Sequence, residues 1–173
     1  MNRLKIIAAL VVAVLFFISC TNQKTTNNDN AVDVSAEKQA VSTVLKKYKD
    51  AIQSLNVEGT SNLFSKDSNV FESGGSEGSY TNYLEHHLDP ELHHFNSFIF
   101  SDYKVDVTVD LPYAFATETY IYTIDIKANE EKAREAMIIN KKGVATSILR
   151  KTEGNWKIIK THTSSRANRN SGH

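Results

Sequence analysis

Gly154-Asn155-Trp156-Lys157-Ile158-Ile159-Lys160-Thr161-His162-Thr163-Ser164-Ser165-Arg166 is the most informative stretch of the chain. β-Branched and aromatic residues alternate there with polar ones, which predicts a half-buried strand over about 155–164. Alternate side chains of a strand share a face, so Trp156, Ile158, Lys160, His162 and Ser164 are expected on one side. If the indole and Ile158 meet a core, His162 turns inward with them. Residues 151–154 make the hairpin turn that precedes this strand.

Upstream of that turn the same composition predicts strands over about 98–109, 113–127 and 134–150. The helical patterns all lie nearer the N-terminus. Ser35 is a candidate N-cap, Glu37 suits a first turn, and Val41, Val44, Leu45, Tyr48, Ile52 and Leu55 recur at the spacing of one apolar face, so a helix is expected over about 36–54. A short helix near 60–64 and a brief strand near 69–71 follow a break at about 56–59. The stretch 72–79, with three glycines, reads as a loop. Residues 80–95 are helical in pattern, but Asp89-Pro90-Glu91 reads as N-cap, first-turn proline and first-turn acid, so one helix is expected to end near Leu88 and another to begin. Helices followed by a meander is an α+β order, and a sheet this long with so few helices must curl around its own contents.

The 173 residues carry 20 Lys plus Arg and 20 Asp plus Glu. No basic surplus exists to neutralise phosphates, the nearest thing being a thin tail with Arg166 and Arg169, so nucleic acid is not an expected partner. Met1-Asn2-Arg3-Leu4-Lys5 followed by an uncharged apolar run over residues 6–18 reads as a signal peptide; as a helix the run spans roughly 20 Å, short of a bilayer core of about 30 Å. Phe17-Ile18-Ser19-Cys20 resembles a lipobox, with the small Ser19 in place and Phe17 where leucine is usual. The expectation is a signal peptide over 1–19, a lipidated Cys20 with a flexible tether over 20–34, a domain over 35–166 and a disordered tail over 167–173. The alternative is an uncleaved signal anchor with a chance cysteine. Cys20 is the single cysteine, so no intramolecular disulfide forms. A lipid-anchored location in the cell envelope, facing periplasm or exterior, is expected, with Thr21 rather than aspartate after the cysteine favouring the outer membrane.

The helix order, the closing Gly-x-Trp-Lys-Ile…His-x-Ser-Ser-Arg strand and Glu85-His86-His87-Leu88-Asp89-Pro90-Glu91 together resemble the nuclear transport factor 2-like superfamily, in particular its SnoaL-like branch, over about residues 36–166. The resemblance implies a cystatin-like, cone-shaped roll: three N-terminal helices packed in a strongly curved antiparallel sheet, a pocket at the open end, and in many members a homodimer through the sheet. Enzymes of the superfamily, such as ketosteroid isomerases and polyketide cyclases, use an Asp or His in that pocket for proton transfer, whereas other members have no known chemistry. Lys160 stands where similar exported proteins often have a further histidine.

Several residues are candidates for that pocket. His162 suits a general base or a ligand anchor, with a structurally bonded histidine as the alternative. Glu118, with Ala116, Tyr120 and Tyr122 at equal parity, is either a carboxylate base among tyrosines or an exposed-face acid. His87 and Glu91 either line the mouth or brace it, and Arg166 near Ser164 either clamps an anion or lies in solvent. Trp156 is either a ligand contact or core. A bend at Pro90 would bring His86 or His87 toward Glu91 or His93 and, with His162, offer a transition-metal site. The leading expectation is a pocket protein for a small, partly apolar molecule, with no cofactor. The alternatives are an isomerase, cyclase or hydrolase using His162, or metal binding.

Overall fold

The computed structural model describes residues 33–169, so the expected signal peptide, the expected lipidation at Cys20 and most of the expected tether lie outside the described residues. Helix α1 (Val34–Gln53) starts two residues earlier than Ser35 suggested: Asp33 is the N-cap, its carboxylate accepting from the backbone N–H groups of Ser35 and Ala36. Its buried face is Val41, Leu45, Lys49 and Ile52. The three aliphatic members contribute about 2 kcal/mol each by leaving water. The fourth is a lysine, and it decides what lies beneath the helix.

A 3₁₀ turn (Thr60–Leu63) leads into β1 (Phe64–Glu72), and the glycine-rich stretch expected as a loop turns back on it as β2 (Gly75–Gly78). Next come α2 (Tyr80–Tyr83), a π-helical turn (Leu84–Leu88) and α3 (Asp89–Leu92). This corrects the expected break. Asp89 is helical, with φ −61° and ψ −46°, and caps nothing. Pro90 lacks an N–H for the carbonyl four residues back, and the wider π turn just before it carries the helix past the missing bond.

Four long strands complete the chain: β3 (Phe95–Asp110), β4 (Tyr113–Ile126), β5 (Met137–Thr152) and β6 (Asn155–Ala167). The sheet order is β2-β1-β6-β5-β4-β3. The expected all-antiparallel sheet is corrected at one seam, because β1 runs parallel to β6. The helical segments between β1 and β3 leave β1 free to pair with the last strand. The α+β roll is otherwise as expected, with α1 lying against the inner face of β3 and β6.

Small residues stand buried on the inner face of β4 and β5: Ala114, Ala116, Ala145 and Gly143. Gly143 is the tightest. A Cβ placed there would stand 2.2 Å from the Tyr120 ring. Gly143→Ala is therefore expected to displace Tyr120 and destabilise the domain by about 1–3 kcal/mol in urea unfolding, whereas Ala145→Gly, which overpacks nothing, should leave the Tyr120 environment unchanged by NMR.

Candidate functional site

Strand β6 pairs with β5 in regular antiparallel register except at one point: Leu149 faces Ile158, but Ile148 faces Lys160, leaving Ile159 as an extra residue. A β-bulge in a period-two pattern moves every later side chain to the opposite face. Trp156 and Ile158 point inward, and beyond the bulge Thr161 is buried and Thr163 partly so, while Lys160 and His162 are exposed. The inward His162 expected from simple alternation is thus corrected, and its cavity role falls. Arg166 is also outward, beside Lys104 and Lys142 in an open groove on the outer face. Trp156 faces inward as core: its Nε1–H donates to Glu37 Oε2 at 2.8 Å, and Lys151 holds the other oxygen of Glu37 at 2.5 Å. These bonds to the first turn of α1 close that end of the roll.

The cavity lies toward the other end of α1. Its volume is about 190 Å³. One wall is a patch of rings, with Phe98–Phe100 centroids 4.8 Å apart, Phe98–Tyr122 5.5 Å and Phe100–Tyr120 5.1 Å. Of the residues expected there, Tyr120, Tyr122, Glu91 and Ser164 line it, and the Tyr122 hydroxyl donates to Ser165 Oγ at 3.0 Å. Lys49, Glu72 and Lys141 line it as well.

Lys49 was not singled out by the sequence reading. It is 6% exposed, Glu118 on β4 is 2% exposed, and Lys49 Nζ stands 3.3 Å from Glu118 Oε2. The Tyr103 hydroxyl donates to the same carboxylate at 2.7 Å. Glu118 is therefore inward, the pocket alternative and not the exposed-face one, and its carboxylate is held in an ion pair with Lys49. The ammonium also sits 4.8 Å from the Tyr120 ring centroid and 5.3 Å from that of Phe100. Burial lowers the Lys49 pKa, and the charge and hydrogen bond of Glu118 oppose that shift. Burial likewise raises the pKa values of Tyr120 and Tyr103, reinforced by the Glu118 charge. The signal in the sequence was Lys49 itself, four residues after Leu45 and three before Ile52, a charge within an apolar stripe.

At the mouth, His87 braces rather than lines. Its Nδ1 is 3.2 Å from Glu77 Oε2 on β2, and its Nε2 is 3.6 Å from Glu91 Oε1 and 3.9 Å from Glu72 Oε2. Tyr83 packs a ring at 5.1 Å and donates its hydroxyl to Glu72 at 2.8 Å. The alternative of a metal site through His86, His87, His93 and His162 finds no such arrangement among the described residues. Helical backbone continues through Pro90, His86 and His93 are exposed, and among the described residues no group of three or more His, Cys, Asp or Glu is arranged to hold a metal ion.

A long helix against the inner face of a curled sheet, with a cavity at one end, defines the nuclear transport factor 2-like class. The chain belongs to the SnoaL-like family, whose domain it matches over residues 41–168. No curated protein matches it by sequence. Among solved structures it is similar to a nuclear transport factor 2-like superfamily protein from Salmonella enterica serovar Typhimurium, at 18% identity and TM-score 0.66 over 80% of this chain and 97% of that one. It is also similar to a structure named as a dehydratase of the same family from Streptomyces avermitilis, at 17% and 0.64 over 77% and 98%. A third, named as a ketosteroid isomerase from Shewanella frigidimarina, gives 22% and 0.56 over 72% and 94%. At these identities the likeness is one of fold.

Partial burial lowers the His87 pKa, but the bond to Glu77 and the charges of Glu91, Glu72 and Glu77 outweigh it and hold the value above the ordinary 6.5. The stabilisation by His87 is then complete below pH 6.5 and is lost as the pH rises through the folded-state value. Urea midpoints compared at about pH 5.5 and about pH 8.5 should fall with pH more steeply for the native chain than for His87→Asn. Equal falls would remove His87 from the brace.

Proposed function

We propose that this chain is a lipid-anchored pocket protein of the cell envelope that takes up one small, partly apolar molecule in the cavity beneath α1. The reading rests above all on the cavity, where four aromatic rings meet a polar floor at Lys49 and a polar rim at Glu72, Glu91 and Lys141. Such a surface takes an apolar ring and orients its polar substituents. An apolar cavity of about 150 Å³ holds benzene, so 190 Å³ suits a single substituted ring or an aliphatic molecule of that bulk. SnoaL-like membership supports the same reading, since relatives of this fold carry names such as dehydratase and isomerase. Catalysis through His162 has no support, that imidazole being exposed on the outer face.

The tether through Cys20 and the pairing of two copies through the outer sheet face belong to this proposal. Native mass spectrometry of the full chain extracted in mild detergent reads all three parts at once. It should give an acylated Cys20 at the N-terminus, a dimer, and a non-covalent occupant of ring size. Ile139→Phe, which fills the cavity wall, should lose the occupant or weaken a ring-sized probe at least about tenfold while keeping acylation and dimer. An occupant bound equally by Ile139→Phe would move the binding site elsewhere.

A further inference from the structure

Lys49 is a costly residue to keep where it stands. Two buried charges must be stripped of water, and apolar residues of similar volume are often as stable in such a position. Yet the lysine lines the cavity, its amine is flanked by the rings of Tyr48, Phe100 and Tyr120 at 5.8, 5.3 and 4.8 Å from their centroids, and its carboxylate partner is buried behind it. Other lysines with carboxylate partners are placed differently: Lys46 meets Asp50 on the exposed face of α1, and Lys151 meets Glu37 at the Trp156 end. Neither lines the cavity.

We infer that Lys49 condenses with a small aldehyde or ketone held in this cavity, forming a protonated imine that retains the ion pair with Glu118. The inference rests on the pocket reading above and names a substrate class for it. Glu118 accepts one proton from the ammonium, and the freed lone pair of Nζ bonds to the carbonyl carbon. A second proton passes from nitrogen to the former carbonyl oxygen, giving a carbinolamine. Glu118 returns its proton to that hydroxyl, the C–O bond breaks, water leaves, and the nitrogen lone pair closes the C=N bond. Of the three ammonium hydrogens one stays on nitrogen and two depart in water. The site holds one cation and one carboxylate at the beginning and at the end, so no charge is created in the low-dielectric interior. The Tyr103 hydroxyl keeps Glu118 aimed at the nitrogen throughout, and the ring faces that flank the ammonium equally suit an iminium. Burial, which lowers the Lys49 pKa, favours the neutral amine that the first step needs.

The test uses benzaldehyde with sodium cyanoborohydride on the full chain, followed by peptide mass mapping, and benzyl alcohol as a ring of the same size without the carbonyl. Lys49 is expected to be alkylated on the order of tenfold faster than exposed lysines such as Lys47 and Lys66. Benzyl alcohol should slow Lys49 alone. Lys49→Arg, which keeps the cation and its pair with Glu118, should abolish labelling at that position while benzyl alcohol still raises the melting temperature. If benzyl alcohol raises the melting temperature of the native chain but Lys49 is labelled no faster than the exposed lysines, the imine is overturned and the pocket reading survives. If benzyl alcohol neither stabilises nor protects, the pocket reading fails and the imine with it.

Discussion

A buried ammonium and a buried carboxylate, Lys49 on α1 and Glu118 on β4, fix where this domain stops being solid and starts being hollow. Toward the start of α1, Val41 and Leu45 belong to one buried cluster with Ala114, Ala116 and Leu149, and the Trp156–Glu37 bond seals that end. Toward its end, Lys49 cannot be surrounded by hydrocarbon alone, and its requirement for a carboxylate draws Glu118 and then Tyr103 beneath the helix. Past that layer the inner face carries large rings that leave a space between them. The pair thus sets the register of α1 on the sheet and forms the cavity floor in one stroke.

The sheet's own irregularities place everything else. One extra residue at Ile159 exchanges the two faces of β6, so that threonines and not His162 look into the roll. The short β1–β2 hairpin brings Glu72 and Glu77 to the helical segment after it, where His87 joins them to Glu91. The mouth is therefore held by charges whose balance depends on one imidazole, while the opposite end is held by the bonds of Trp156 and Lys151 to Glu37.

Much of this was legible in the sequence, for reasons that can be named. The apolar stripe of α1 and the four long strands follow from periodicities of 3.6 and 2, and an uninterrupted strand puts Glu118, Tyr120 and Tyr122 on one face, though which face looked inward was left open by alternation alone. The inward His162 failed because a bulge leaves no mark in an alternating pattern when the inserted residue is itself an isoleucine. The expected break at Pro90 failed because a π turn and a helix end look alike in sequence. The parallel seam between β1 and β6 is a pairing of distant segments, beyond the reach of local pattern. Lys49 was legible but unread: a lysine in register with Leu45 and Ile52 announces a buried partner, and the one acid in the run 113–124 was that partner.

A double-mutant cycle on the floor tests the account most directly, with Lys49→Met, Glu118→Gln and the pair measured by urea unfolding at neutral pH. Each single change should cost about 3–5 kcal/mol by stranding the other group, and the double should cost less than the sum by about 2 kcal/mol or more. Additive losses, or single changes that leave stability untouched, would contradict a domain organised around that pair.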